Sequence, residues 1–465
     1  LSISNYIDLN VFIVHKNIIK KVGYFDVQLR RAVDHDLILR VSKVAELHYL
    51  PIIGVNYTNH DEVARISNTE LLSWGGVVKN KNIIDWDNVA KKRIANKTSI
   101  VVAVKNDLAA AARCITRLVQ YTDMNKVEIV IVDSSSGPSM SALASSLSMI
   151  HADIEYIYCP ESHDLALGSN VGFAHTTGQN VVFVEQGCQV EPEWLEPLLA
   201  SLKSGVGIAA PMQLAPNRTI TSAGILLPSI AKRMMPLRFL QHHPVEDTRL
   251  LDASYSVSAV SDGCIAVRAT DFAKLQGFNP LFDNGFETPD LCMRANKMKL
   301  GKIVVAKNCS IVNVYKDRGW SNKNYSTFIS RWGNTPTANS DDLWKKAGFR
   351  VSKYITEEAR IGLPGKIRPL LERVDRTKIR WAIKTSSPAD DTRFEWGDKY
   401  FAESIAKSLE KLGHEAIVDN RSSHDRPTAY LDDVLLSLRG LVQFTPQPDK
   451  LNFMWVISHP EMVTE

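Results

Sequence analysis

The chain has 465 residues, of which 45% are hydrophobic and 23% charged, and its 55 basic and 51 acidic side chains leave a net charge of +4. That mix excludes a largely disordered, collagenous or fibrous chain, and the near-cancelling charge gives no reason to expect a nucleic-acid partner. The longest apolar runs, such as Ile100–Val104 and Val181–Val184, are strand-sized, so no transmembrane segment is expected. Six cysteines without close spacing read as reduced, mostly buried thiols of a cytoplasmic protein, and not as a zinc site or a disulfide scaffold. At roughly 100–200 residues per domain, the length predicts about two to four domains. The chain opens on Leu1 and stops shortly after Ser458-His459-Pro460-Glu461, so it is expected to be part of a longer protein.

In chain order, the first feature is half of an internal repeat. Residues 22–40 (VGYFDVQLRRAVDHDLILR) and 275–294 (LQGFNPLFDNGFETPDLCMR) share a Gly, an aromatic, a spacer and Asp-Leu-x-x-Arg. Asp36 and Arg40 align with Asp290 and Arg294, and a strand-like run follows each copy, Leu47–Val55 and Lys302–Val314. Residues 69–97 read as a polar linker with Trp74 and Trp86. From Ser99 the apolar runs become continuous and rich in Val and Ile, as buried parallel strands are. Strand SIVVAVKN, helix Leu108–Tyr121 and strand VEIVIVD form a βαβ unit. Helix Met140–Met149, strand IEYIYC, helix Gly168–Thr177, strand NVVFVEQ and helix Glu193–Ser204 continue it. Ligands of such open α/β sheets bind at the strand carboxyl ends, here Asn106, Asp133, Cys159 and Gln186. A second linker spans 336–377. Then strand RWAIKTS, an amphipathic helix Tyr400–Leu412 closed by Gly413, and strands EAIVD, DVLLSLRG and LNFMWVISHP give a second βαβ pattern, a Rossmann-like half-domain.

Several of these residues invite chemistry. Asp133 ends a buried strand, where a carboxylate can accept the imide N–H of a base or cap its own turn. Gly168-Ser169-Asn170-Val171-Gly172 opens a helix whose N-terminus would favour an anion. Asp398 reads as a helix N-cap and His459 ends the last strand.

The run from SIVVAVKN through VEIVIVDSSS to LALGSNVGFAHTTGQNVVFVEQGCQVEPEWLEPLL resembles the nucleotide-sugar half of glycosyltransferase family 2, and GCIAVRATDFAKLQGFNPLF…ETPDLCMR resembles its acceptor half. The resemblance implies an α/β chain around a central GT-A nucleotide-diphospho-sugar transferase domain with a mostly parallel sheet, residues 98–335. Before it, residues 1–68 resemble the C-terminal part of a second GT-A domain. After it, residues 378–465 resemble the N-terminal part of a GT-B domain. The implied activity is sugar transfer from a UDP- or dTDP-type nucleotide-sugar donor to a glycan or lipid-linked acceptor in bacterial surface polysaccharide synthesis, in the cytoplasm or at the inner face of the membrane.

By position in the family's motifs, the donor would meet Ala103, Val104, Asn106, Asp133, Asn170, Glu185 and Gln186. The family's Asp-x-Asp, which holds Mn²⁺ or Mg²⁺ against the diphosphate, is replaced by Glu185-Gln186-Gly187, leaving Glu185 as the metal ligand. The base expected two residues before Asp290 is Thr288, with Glu287 adjacent as its substitute, and Asn313-Val314-Tyr315 stands where a His is often found. The first copy keeps Asp34 at the base position, with helix capping as its other reading, and has His60 after its strand. An inactive, glycan-binding or scaffolding central domain is the alternative reading.

Overall fold

The computed structural model describes residues 5–56, 70–134, 139–151, 153–160, 165–203, 205–247, 253–282, 285–315, 320–336, 339–357, 365–458 and 460. The chain divides into two compact units: Leu1–Ile115 with Asp123–Gln186 and Ala266–Leu300, and Thr116–Thr122 with Gly187–Ile265 and Gly301–Glu465. Neither expected linker is a boundary between them.

The first unit is built on four parallel strands, β1 (Ile94–Val104), β2 (Val127–Asp133), β3 (Ile154–Tyr158) and β4 (Gly178–Glu185), in the order β4-β1-β2-β3. β1 and β2 are buried through almost their whole paired length, which is why they read as unbroken apolar runs. Before the sheet come helices α1 (Lys16–Val22), α2 (Val33–Ser42) and α3 (Trp74–Ile83). The expected linker at 69–97 contains α3 and joins the core. Val78 is fully buried against Leu29 and Leu39, Asn82 donates to Asp36 at 2.9 Å, and Trp86 stacks on Phe173 at 6.0 Å beside Phe272. Its polar composition misled because Asn80 and Asn82 are buried as hydrogen-bonding groups.

Leu47–Val55, expected as a strand, has no regular structure, and Tyr49 and Ile53 are 88% and 89% exposed. A strand needs a neighbour to take its backbone groups. The matching segment of the second copy has such neighbours.

Helix α4 (Leu108–Tyr121) follows β1, with Asp107 accepting the Ala110 N–H at 3.0 Å. Then come α5 (Ser139–Ile150), α6 (Leu165–His175) and α7 (Glu287–Lys297). α6 starts three residues earlier than the glycine motif suggested, so Gly168 and Asn170 lie within the helix. Gly172 is small for a packing reason: a Cβ there would come within 2.6 Å of Val101 Cγ1 and 2.8 Å of Val132 Cγ2.

The second unit contains β5 (Cys188–Val190), β6 (Val206–Leu214) and β7 (Lys302–Asn313). β7 runs parallel to β6 and antiparallel to β5 and to Tyr255–Ser256. The described residues of the expected linker at 336–377 also include regular structure. β8 (Phe349–Glu357) pairs antiparallel with β9 (Lys366–Arg373), and Trp344 packs edge-on to Phe239 at 4.6 Å. Downstream, β10 (Arg380–Lys384), α8 (Gly397–Lys411), β11 (Glu415–Asp419), β12 (Val434–Arg439) and β13 (Leu451–Val456) form a parallel sheet in the order β11-β10-β12-β13. Ile383, Leu436 and Leu438 pack on Ala402 of α8. All six cysteines are free and buried, and burial pushes the Cys114 and Cys309 thiols up to about 12. Among the described residues no helix is long and apolar enough to cross a membrane.

Glu128 on β2 ties the base of the first sheet together. Its carboxylate takes Ser99 Oγ and Thr177 N at 2.5 Å, Thr177 Oγ1 at 2.7 Å and Lys97 Nζ at 2.8 Å. Burial works against its charge, but Lys97, Ser99 and Thr177 outweigh that and bring its carboxyl down to about 2. A depressed carboxyl stabilises the fold fully above its unfolded value, and the contribution fades as pH falls through the folded one. Glu128→Gln is therefore expected to cost about 2–3 kcal/mol at neutral pH, and urea unfolding curves of variant and parent should converge near pH ~2. A gap that persists in acid would mean the carboxylate's charge is not what matters.

Candidate functional site

Apart from Asn170 in α6, the expected donor-side residues lie at the carboxyl ends of β1, β2 and β4, all within the first unit. Register sets them side by side: Val104 pairs with Asp133, and Ala103 with Val132 on one side and Glu185 on the other. Ala103 and Val104 are buried, and the chain then turns sharply through Asn106, which is exposed at φ +52°. Asn tolerates this left-handed backbone better than most residues.

Asp133 is fully buried, and Tyr156 Oη donates to its Oδ2 at 2.7 Å. Burial, and then the Asp133 carboxylate, push the Tyr156 phenol well above its ordinary value, so it stays a protonated donor. The sequence reading missed Tyr156. It sits on the strand beside Asp133, and that neighbourhood depends on the β2–β3 register, which spacing does not reveal. The turn after Asp133 begins with Ser134, whose N and Oγ both donate to Val104 O at 3.1 Å; residues 135–138 lie outside the described part.

Two expected donor contacts are taken up by the protein itself. The Asn170 amide is fully buried. Its Nδ2 donates to Asn80 Oδ1 and to Phe278 O at 2.8 Å, and its Oδ1 accepts Phe278 N at 2.8 Å. It holds the loop at Gly277, where any Cβ would overlap the Asn170 side chain, and it is not a ligand contact. Gln186 is buried and closes a reciprocal pair with the backbone of Lys105, accepting from N at 2.8 Å and donating to O at 3.1 Å. It shapes the end of β1 instead of presenting its amide.

On the acceptor side, the two repeat copies superpose in their local chemistry. α2 and α7 each begin after a left-handed residue, Ala32 at φ +58° and Phe286 at φ +75°. In each the Asp of Asp-Leu-x-x-Arg is fully buried and ion-paired to the Arg four residues on, Asp36–Arg40 at 2.9 Å and Asp290–Arg294 at 2.7 Å. Each Arg then clasps carbonyls of the preceding Gly-aromatic segment, Val22 and Tyr24 for Arg40 and Leu275 for Arg294. The structure thus uses Asp290 as a buried anchor for the loop, and not as a group presented for catalysis.

The helix starts bring Asp34 and Thr288 to the same position, the second residue of the helix. Asp34 does not cap α2; it accepts Asn5 Nδ2 at 2.9 Å. His60 and His459 lie outside the described residues. Thr288 is buried. Glu287, the first residue of α7, is 7% exposed, and its Oε2 takes the Gly285 N–H at 2.6 Å. Pro289 is tolerated because it falls in the first helical turn.

The residues at the end of β4 do not fit a divalent cation. Glu185 is one carboxylate, Gln186 is turned into the Lys105 backbone, and Gly187 has no side chain. A Cβ built on Gly187 would overlap the Tyr315 ring at Cδ2 and Cε2, so a second carboxylate there has no room. Among the described residues no group of three or more His, Cys, Asp or Glu side chains is arranged to hold a metal. The expectation of Glu185 as metal ligand is corrected on these grounds.

Part of the chain that carries these strands is similar to known proteins. Residues 99–251 match the model of glycosyl transferase family 2. Glycosyltransferase AglE of Haloferax volcanii is 22% identical over 111 residues, 24% of this chain and 36% of that protein, so the chain spans about a third of the length of this relative. Among solved structures, GalNAc-T7 with UDP, GalNAc and Mn²⁺ is 18% identical, with 54% of this chain and 53% of that one covered at a TM-score of 0.42. The mannosyltransferase PcManGT of Pyrobaculum calidifontis, with GDP-Man and Mn²⁺, is 14% identical over 56% of this chain and 69% of that one, at 0.36. Residues 99–251, with the parallel strands that carry Asp133 and Glu185 at their ends, are thus the part of the chain that matches glycosyl transferase family 2.

Proposed function

We propose that the chain transfers a sugar from a nucleotide-sugar donor, of UDP or dTDP type, to the hydroxyl of a glycan or lipid-linked acceptor in surface polysaccharide synthesis. The observation that carries this reading is Asp133: a fully buried acid at the carboxyl end of β2, fixed by Tyr156, inside the family 2 domain. A carboxylate so placed accepts the imide N–H of uracil or thymine, with Ala103 and Val104 as apolar floor and Asn106 at the rim.

In the transfer, the acceptor oxygen forms a bond to the anomeric carbon. The bond from that carbon to the β-phosphate oxygen breaks, and the nucleoside diphosphate leaves with the electron pair. Glu287 takes the hydroxyl proton; the Gly285 N–H on Oε2 aims its carboxylate. Asp34, at the matching place on α2, is the corresponding base of the first repeat copy. For residues 378–465 the GT-B-type reading rests on the parallel β11-β10-β12-β13 order alone.

The test is release of nucleoside diphosphate from UDP- and dTDP-sugars by the full chain with a polyol or glycan acceptor. Glu287→Gln is expected to lower turnover about 10²–10⁴-fold while leaving nucleotide affinity within about twofold. Buried Thr288 and the filled space at Gly187 favour one second reading, a nucleotide- and glycan-binding module without turnover. Tight nucleotide binding with no release under any acceptor condition would select it.

A further inference from the structure

We propose that Gly187, Asn313 and Tyr315 form an aromatic plug where a cation would otherwise sit, so that the domain takes its nucleotide without a divalent metal ion. This rests on the nucleotide-binding reading above and goes beyond it.

The three residues belong to one device. β5 pairs antiparallel with the end of β7, Cys188 facing Asn313. The ladder then runs one step further, with Val314 N donating to Gly187 O at 2.9 Å. Asn313 turns its side chain forward, and its Oδ1 accepts the Tyr315 N–H at 3.0 Å. The result is a Tyr315 ring lying on the bare Cα of Gly187. Gly187 is not among the glycines with left-handed φ, so its backbone does not demand glycine. The ring does: any larger residue at 187 must displace it.

The ring in this position therefore requires the glycine. A hard cation needs oxygen ligands in its first shell, and Mg²⁺ keeps one or two carboxylates besides phosphates and water. Here the second carboxylate is replaced by hydrogen and its volume by aromatic carbon. The Asn in place of a His further along the chain then has a use, because its amide oxygen fixes the backbone that delivers the ring. Two departures from the family pattern become one coordinated change.

The experiment uses the full chain. Mn²⁺ is titrated and followed by electron paramagnetic resonance with and without UDP, and UDP affinity is measured calorimetrically in Mn²⁺ and in EDTA. No stoichiometric Mn²⁺ site is expected, and the two affinities should agree within about twofold. A stoichiometric site that Glu185→Gln abolishes, or an affinity loss of about tenfold or more in EDTA, overturns the proposal. Absence of UDP binding in both buffers overturns the nucleotide reading instead, and the Mn²⁺ titration alone then decides whether the plug excludes the ion. The pair Gly187→Asp with Tyr315→Ser should gain a Mn²⁺ site. A folded double variant, checked by circular dichroism, that gains none shows that the ring is not what keeps the cation out, and overturns the proposal as well.

Discussion

Asp247→Ala is expected to lower the unfolding free energy by about 3–5 kcal/mol, measured by urea titration with tryptophan fluorescence. Asp247 is 5% exposed and sits among the buried charges around β10 and β11. Its Oδ1 takes Arg380 Nη2 at 2.5 Å and its Oδ2 takes Thr428 Oγ1. Arg380 also reaches Asp432 at 3.1 Å and Glu415. Arg426 grips Asp432 through two nitrogens, at 2.7 and 2.9 Å, and lies 3.3 Å from Asp419, which pairs with Lys384 at 2.8 Å. Arg380, Lys384 and Arg426 are each 3% exposed or less. Burial disfavours the charge on Asp247, but Arg380 and Arg426 overcome this and hold its carboxyl well below the usual range. Deleting it takes the partner from Arg380 Nη2 and from Thr428 Oγ1 inside a buried network, which costs more than the pair itself contributes. The discriminating control follows from the same logic. Removing both charges, with Asp247→Leu and Arg380→Met, should cost much less than the sum of the single changes. A single-variant loss below about 1 kcal/mol would mean that water reaches these charges. Because the contribution of Asp247 needs the ionised carboxylate, it should also fade as pH falls below about 4.

This network joins segments that lie on either side of the second expected linker. Residues 243–247 and 380–432 are far apart in sequence, and nothing in the spacing of Asp247 and Arg380 announces that they meet. Strands such as Val127–Asp133 were legible to the residue because continuous apolar runs follow directly from burial on both faces. The repeat was legible too, and its Asp–Arg pairs now show why that spacing recurs: four residues is one helical turn, and the Arg clasps the loop before it. Burial of polar groups was not legible. Asn170, Asn80 and Asn82 look like surface residues in sequence, but they are internal connectors because each finds a partner that only the tertiary fold supplies. The same blindness made Asn170 read as a donor contact and hid the Tyr156–Asp133 hydrogen bond.

Asp133→Asn is expected to weaken UDP binding as much as Asp133→Ala does, by roughly 10–100-fold, although Asn nearly preserves the shape. The carboxylate offers two oxygens and about four acceptor positions, and the Tyr156 hydroxyl takes one of them on Oδ2. In the Asn variant the amide oxygen is claimed by the Tyr156 hydroxyl, which burial and hydrogen bonding keep as a donor. The amide nitrogen then faces the imide, donor against donor, and the desolvated N–H of the base loses its partner. Cytosine carries an acceptor at that ring position, so the same variant should bind CDP relatively better than the parent does, narrowing or reversing the UDP preference. Tyr156→Phe separates orientation from acceptance. It removes one hold on the carboxylate but leaves its charge, so UDP affinity should fall only a few-fold, about 2–10, with base preference retained. Calorimetric titration of UDP and CDP against the three variants reads all of this. If Asp133→Asn binds UDP as the parent does, Asp133 serves the turn at Ser134 and not the base, and nucleotide recognition must be sought elsewhere along the strand ends.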